Sequence, residues 1–296
     1  VSRPQPEIVT HRLLTAWPLP RLQDDKESRG RVLIVGGSRH NPGGVLLAAE
    51  AALRVGAGKV QLVTVRSTAV QLAVALPEVL VRGVAEGDDG ELATEAVQAV
   101  EEMVPECEAL LVGPGIGAVA AAQELTARAL PCVGPSTSVA LDALALSAVT
   151  EDPTCLSHLE GRAVLTPNLS ELALTLGWEP AKVEDDPREA ALRLAARTGV
   201  CVSSGGSTTW TASPDGRSWQ GSVGGPGLGT AGSGDVKAGL VTGLLGRGAE
   251  PCQAAVWGSH LHGSAGDRLS AELGPTGFLA RELAHRVPSV LSELEV

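Results

Sequence analysis

Short apolar runs closed by glycine alternate along this chain with stretches in which apolar residues recur every three or four positions. The runs RVLIVGG (31–37), KVQLVTV (59–65), EALLVGPGIG (108–117), SVALD (138–142), RAVLTPN (162–168) and VCVSSGG (200–206) predict buried strands. Between them, 43–58, 91–104, 118–130, 169–177 and 187–199 predict helices, with Gly56, Gly58 and Gly177 as stop signals. Strands that alternate with helices favour a parallel sheet, so the fold class is α/β. Residues 207–222 read as a hairpin that turns at Asp215-Gly216. Three further helices are predicted at 232–246, 251–270 and 275–287. Residues 1–30, with Pro4, Pro6, Pro18 and Pro20, read as an arm leading to a single domain at 31–296, since no break in composition marks a second one.

Composition narrows the picture. A chain of 296 residues, 44% of them apolar, has room for one large α/β core, and that core must be aliphatic: there is no Tyr, one Phe (Phe278) and five Trp. The formal charge of −11 argues against a nucleic-acid partner, because a phosphate backbone demands clustered Lys and Arg. It leaves room for a small anionic ligand. Five scattered cysteines with no CxxC pair suggest neither a disulfide framework nor a zinc site, and point to the cytoplasm. No signal peptide is expected in VSRPQPEIVTHRLL, and no stretch approaches the ~18 unbroken apolar residues of a membrane span.

Candidate chemistry concentrates in the glycine loops. The stretch GGPGLGTAGSGDVKAGLVTGLLGRG starts at Gly224 and holds six glycines in its first twelve residues, then enters a predicted helix. Glycines let backbone curl around an anion, and a helix N-terminus presents unpaired N–H groups and the positive end of a dipole. Gly232, Ser233 and Gly234 are therefore expected to form an anion cradle, with Asp235 placed to take a proton from a hydroxyl that attacks phosphorus. The plain alternative is a loop whose Asp caps a helix.

Four weaker signals lie at other strand ends. GPGIG (113–117) is either a ligand contact or a tight turn. GGSRHNPGG (36–44) could face an anion with Arg39 and His40. SSGGST (203–208) could hold a phosphate or a ribose, and Asp142 either binds substrate or a metal, or caps the next helix. In open parallel sheets such loops share the carboxyl edge, where ligands bind. GAGKV (56–60) lacks the first glycine and the hydroxyl residue of a P-loop. His260 and His262, two apart on a predicted helix, make a poor metal pair and read as structural.

In order and spacing, RVLIVGGSRHNPGGVLLAAEAALRVGAGKVQLVTV, LLVGPGIG, LTPNLSEL and the Gly224 stretch resemble the ADP/ATP-dependent NAD(P)H-hydrate dehydratases of the ribokinase-like superfamily. The resemblance runs from Arg31 to about Leu283. It implies a three-layer α/β/α sandwich around a mostly parallel sheet. The implied activity is repair of the S form of hydrated NADH or NADPH, using ADP (or ATP) and Mg2+, with release of AMP and phosphate when ADP is used. Asp235 would be catalytic. Gly44, Gly115, Gly117 and Asn168, with Asp235, would lie near the damaged dinucleotide. Ser204, Gly205, Gly206, Ser207, Thr208 and Gly234 would lie near ADP or AMP. The resemblance further implies a homo-oligomer, a tetramer in that family, and epimerisation by a separate chain.

The chain departs from the family pattern at several points. Asn168-Leu169-Ser170-Glu171 stands for the usual His-Pro-Gly-Glu, Ser204 stands for a Lys, and Ala231 stands for a Gly. Two other readings remain open on the residues alone: a small-molecule kinase of the same fold, and a nucleotide-binding relative that has lost catalysis.

Overall fold

The computed structural model describes residues 4–21, 29–159, 161–206 and 208–295. In chain order the elements are Glu7–Ile8 (β1), His11–Ala16 (α1), Arg31–Val35 (β2), Gly43–Arg54 (α2), Lys59–Val65 (β3), Arg66–Ala75 (α3), Leu80–Val84 (β4), Ala96–Met103 (α4), Ala109–Val112 (β5), Val119–Ala129 (α5) and Ser138–Leu141 (β6). They continue with Leu146–Glu151 (α6), Ala163–Leu165 (β7), Leu169–Leu176 (α7), Pro180–Asp185 (α8), Pro187–Thr198 (α9), Cys201–Gly205 (β8), Thr209–Ala212 (β9), Ser218–Gly221 (β10), Ser233–Gly246 (α10), Pro251–Leu273 (α11) and Ala280–Leu294 (α12).

The strands form one sheet in the order β1-β10-β9-β8-β7-β6-β5-β2-β3-β4. Every pairing is parallel except those of β9, which runs antiparallel to β8 and β10. Alternation along β2 shows why there are three layers. Val32 and Ile34 pack with Ala48 and Ala52 of α2, Leu244 of α10 and Leu283 of α12. Leu33 and Val35 face the other way, toward Val97 and Val100 of α4 and Leu125 of α5. A strand buried on both faces must be apolar at every position, which is the unbroken run seen in the sequence.

The helix that carries Asp235 lies unusually close to α2. A Cβ on Gly239 would stand 2.2 Å from Ala48 O, and one on Gly243 would stand 2.9 Å from Ala52 Cα. Gly239 and Gly243 are four residues apart and so share one face of α10, which lets the two backbones touch. This contact sets the Gly232–Asp235 turn beside the start of α2: a Cβ on Gly232 would stand 2.5 Å from Leu47 Cδ1.

Several elements differ from expectation. The helix expected at 91–104 begins only at Ala96, after a bridge between Glu86 and Leu92. The last helix starts at Ala280 rather than 275 and runs through Pro288 to Leu294, opened by Glu282, whose carboxylate accepts from Leu279 N at 2.7 Å. The pair α3–β4 had no clear signal. β4 is an edge strand whose Leu80 is 56% exposed, and Arg82 and Gly83 interrupt its apolar run. The described part of the arm is folded: β1 pairs with β10, Leu14 is fully buried, and Trp17 stacks on Trp219 with centroids 5.5 Å apart. The hairpin turns at Asp215-Gly216 as its sequence suggests, with Gly216 at φ 93° and Ser213 N donating to Arg217 O at 2.9 Å.

Candidate active site at the carboxyl edge of the sheet

Because β2, β3 and β5 to β8 run parallel, the segments that follow them emerge on one edge. The first two glycine loops interlock there. Gly37 N donates to Pro114 O at 2.7 Å, and a Cβ on Gly44 would stand 2.7 Å from Gly115 N. Close approach of backbone to backbone therefore already requires glycine at 44 and 115. Gly117 N donates to Glu91 Oε2 at 3.0 Å, which fixes the end of the second loop and explains why Glu91 is buried. Arg39 is paired with Glu86 at 2.9 Å rather than held ready for an anion.

The long glycine loop ends in a turn that opens α10. Gly232 has φ 88°, a conformation a side chain would strain, and no side chain caps the helix. The first-turn amides of Gly234 and Asp235 are thus left without an intrahelical acceptor, and Gly234 has open space around its Cα. Asp235 bends back over this end: its Oδ2 lies 3.9 Å from where a Gly232 Cβ would stand. Burial, reinforced by the Glu171 carboxylate, pushes Asp235 up to about 6. A base tuned to that range takes a proton readily at neutral pH. Ser233 Oγ lies 2.8 Å from His262 Nε2. Burial, aided by the nearby charge of Lys237, pushes His262 down to about 3, so its ring is neutral.

Below the cradle lie the ends of β6 and β7. Asp142 is buried, makes no cap bond to the turn that follows it, and accepts from Thr166 Oγ1 at 2.6 Å. It is therefore a group of this edge and not a helix cap. Burial pushes it up to about 8, and the Asp235 and Glu171 charges add to the rise. Asn168 and Glu171 form a capping box at α7: Asn168 Oδ1 accepts from Glu171 N and Glu171 Oε2 accepts from Asn168 N, both at 2.9 Å. Among the described residues the Asn168 side-chain NH2 makes no hydrogen bond.

The end of β8 supplies Ser204, whose hydroxyl is fully buried and has no hydrogen-bond partner among the described residues. Gly205 is required, because a Cβ there would stand 2.3 Å from Thr208 O; Gly206 faces open space, and Ser207 lies outside the described residues. Lys237 was not foreseen. Its Nζ donates to Ser203 O at 3.1 Å, and its charge acts on Asp142, Glu171 and His262. The signal was in the sequence: one Lys interrupts a helix otherwise made of small and apolar residues after Asp235. His262 and Glu171 were likewise missed as members of this cluster.

A sequence profile for NAD(P)H-hydrate dehydratase matches residues 32–289 of the chain. The chain belongs to the NAD(P)H-hydrate dehydratase family. It is 42% identical over 294 residues to the ADP-dependent (S)-NAD(P)H-hydrate dehydratase of Xanthomonas campestris pv. campestris, covering 99% of each. It also matches bifunctional NAD(P)H-hydrate repair enzymes and spans 57% of one of them and 49% of another. The ADP/ATP-dependent NAD(P)H-hydrate dehydratase of Bacillus subtilis, co-crystallised with ATP and Mg2+, superimposes with a TM-score of 0.81 at 25% identity, over 98% of this chain and 99% of that one. A ribokinase-like superfamily protein from Enterococcus faecalis gives 0.82 at 22% identity, over 97% and 96%, which bears on the fold alone. The ribokinase-like three-layer sandwich expected of a dehydratase is the one observed. Among the described residues no three His, Cys, Asp or Glu side chains converge as a ready-made metal shell. No helix among them is long and apolar enough to cross a membrane.

Proposed function

We propose that this chain is an ADP-dependent dehydratase that returns the S form of hydrated NADH and NADPH to NADH and NADPH, releasing AMP and phosphate. The observation that carries the reading is the pairing of an uncapped helix N-terminus with a carboxylate poised near 6 directly over it. The first-turn amides hold the terminal phosphate of ADP, and Asp235 draws the proton from the ring hydroxyl as its oxygen attacks phosphorus. The bond between that phosphorus and the AMP oxygen breaks. The phosphorylated ring then loses phosphate and a ring proton, and the double bond returns. Family membership along the full chain favours this reading over a small-molecule kinase, and the retained, tuned Asp235 favours it over a binder without catalysis.

The dinucleotide lies against Gly44, Gly115, Gly117 and Asn168, and the nucleotide against Ser204, Gly205, Gly206, Ser207, Thr208 and Gly234. Magnesium takes hard oxygen donors and needs only one or two carboxylates beside phosphate and water. The diphosphate's own oxygens can fill much of that shell, and the bound ion would screen their charge. The enzyme works in the cytoplasm as a homo-oligomer, on substrate that a separate epimerase converts to the S form. Free thiols at all five cysteines suit a reducing compartment, and the exposed Val70, Val74 and Leu80 offer an apolar face to a second copy. Incubation with ADP, Mg2+ and hydrated NADH should restore the reduced-nicotinamide absorbance in the wild type and not in Asp235→Asn. Absence of recovery in the wild type with either ADP or ATP would sink the proposal.

A further inference from the structure

We propose that Lys237 is the cation that grips the phosphoryl group in transfer, the terminal phosphate of the nucleoside diphosphate. The proposal rests on the ADP-dependent reading and adds a residue to it. The turn after β8 ends the strand beside the cradle, yet residues 203–206 carry no charge, and Ser204 leaves its hydroxyl buried and unpartnered there. A phosphate entering that turn would meet a polar lining without a counter-charge. Lys237 supplies one from the opposite wall. It sits two residues beyond Asp235 on α10, and its Nζ reaches Ser203 O, the carbonyl next to Ser204.

The ammonium has three donors and uses one on Ser203 O; among the described residues no carboxylate comes within ion-pairing distance of it. Two donors are thus left for ligand oxygens. Burial pulls the ammonium down to about 8, against the opposing pull of Asp142, Cys201 and Glu171, so it still carries its charge at neutral pH. A purely structural lysine would be matched to one carboxylate. This one is anchored to a backbone carbonyl at the end of β8, next to the unpartnered Ser204 hydroxyl, with two donors left over where a diphosphate would add negative charge. Charge-assisted bonds to phosphate are about twice as strong as neutral ones, so the terminal phosphate should depend on this residue far more than the rest of the nucleotide does.

AMP lacks the terminal phosphate and serves as the internal control. Calorimetric titration should show Lys237→Met weakening ADP by at least ~10-fold while AMP changes less than ~2-fold, with Lys237→Arg recovering part of the ADP affinity. Turnover with ADP should fall in the same order. Equal losses for ADP and AMP, or an ADP affinity that survives Lys237→Met, would overturn the role. Should Lys237→Met fail to fold, Lys237→Arg decides: it must shift ADP affinity more than AMP affinity, and equal shifts overturn the proposal. A wild-type chain that binds ADP and AMP without repairing hydrated NADH refutes the dehydratase reading but leaves the phosphate contact standing on the ADP/AMP difference. A wild type that binds neither nucleotide refutes both.

Discussion

Ser233 Oγ stands 2.8 Å from His262 Nε2, joining the first residue of α10 to the middle of α11. The bond fixes the rotamer of the hydroxyl at the lip of the cradle, from a ring held neutral by burial. His262→Phe keeps the volume and removes the partner, leaving a buried hydroxyl unpaired at a cost of about 1–3 kcal/mol. ADP affinity should fall by roughly 10-fold in His262→Phe and by less in His262→Gln, which still offers a hydrogen bond. Calorimetry with the two variants side by side checks this; equal affinities in both and in the wild type would remove the positioning role.

The same histidine should make the fold acid-sensitive. Its folded value of about 3 lies below the 6.5 of a free imidazole, so the unfolded chain binds the extra proton first. Stability from this group is complete above pH 6.5 and is lost as pH falls toward 3. The urea midpoint of the wild type should therefore drop between pH 6.5 and 4 more steeply than that of His262→Gln. Parallel curves for the two proteins would contradict the assignment.

Asp235 makes the opposite kind of prediction, on rate. A general base works when deprotonated, so kcat/KM should rise with pH and level off above an inflection near the value of about 6 to which Asp235 is raised. Asp235→Asn should lower turnover by at least ~100-fold and flatten that limb. The check is a pH profile of the return of reduced-nicotinamide absorbance. An inflection near 4 would mean that the carboxylate is not held in the buried, Glu171-facing position found here.

Asp142 is the costly member of the cluster. Its folded value of about 8 lies above the 3.8 of a free carboxyl, so its contribution to stability is complete below 3.8 and is lost as pH rises toward 8. Asp142→Asn keeps a partner for Thr166 and removes the penalty. At pH 8 it should raise stability by a few kcal/mol, read as a higher Tm, and the gain should vanish at pH 4. A variant less stable than wild type at pH 8 would show that Asp142 is ionised and matched in the folded chain.

The parallel core was legible because strands buried on both faces leave unbroken apolar runs, as in β2, and because glycine marks their exits. Asp235 was legible from the glycine loop in front of it. The misses have physical causes. β4 is an edge strand and needs no apolar run, so nothing in its composition set it apart. α12 passes through Pro288, which sequence rules treat as a stop, and burial of Leu283, Val287 and Leu291 on one face outweighs the lost hydrogen bond. Lys237 carried a local signal that went unread, whereas His262 joins the cluster only because α11 packs against α10, a tertiary fact with no local pattern. Gly44 and Gly115 show the reverse: the need for glycine was readable, but contact between the two loops explains it without any ligand.

Two glycines on α10 separate fold from function. Alanine normally favours a helix over glycine by roughly 1 kcal/mol. At Gly239 the added Cβ would stand 2.2 Å from Ala48 O and 2.7 Å from Ala48 Cα, backbone atoms that cannot swing aside. Gly239→Ala should therefore force α10 off α2 and destabilise the fold by about 1–3 kcal/mol despite the better propensity. At Gly234 the Cβ would meet nothing within 4 Å, so Gly234→Ala should leave Tm unchanged or slightly raised. The same methyl would project beside the free amides, so ADP affinity should fall at Gly234→Ala while the protein stays fully folded. Thermal unfolding paired with ADP titration reads both arms at once. A stable Gly239→Ala would mean that the α2–α10 contact is looser than found. A Gly234→Ala variant that binds ADP as the wild type does would place the phosphate somewhere other than this helix end.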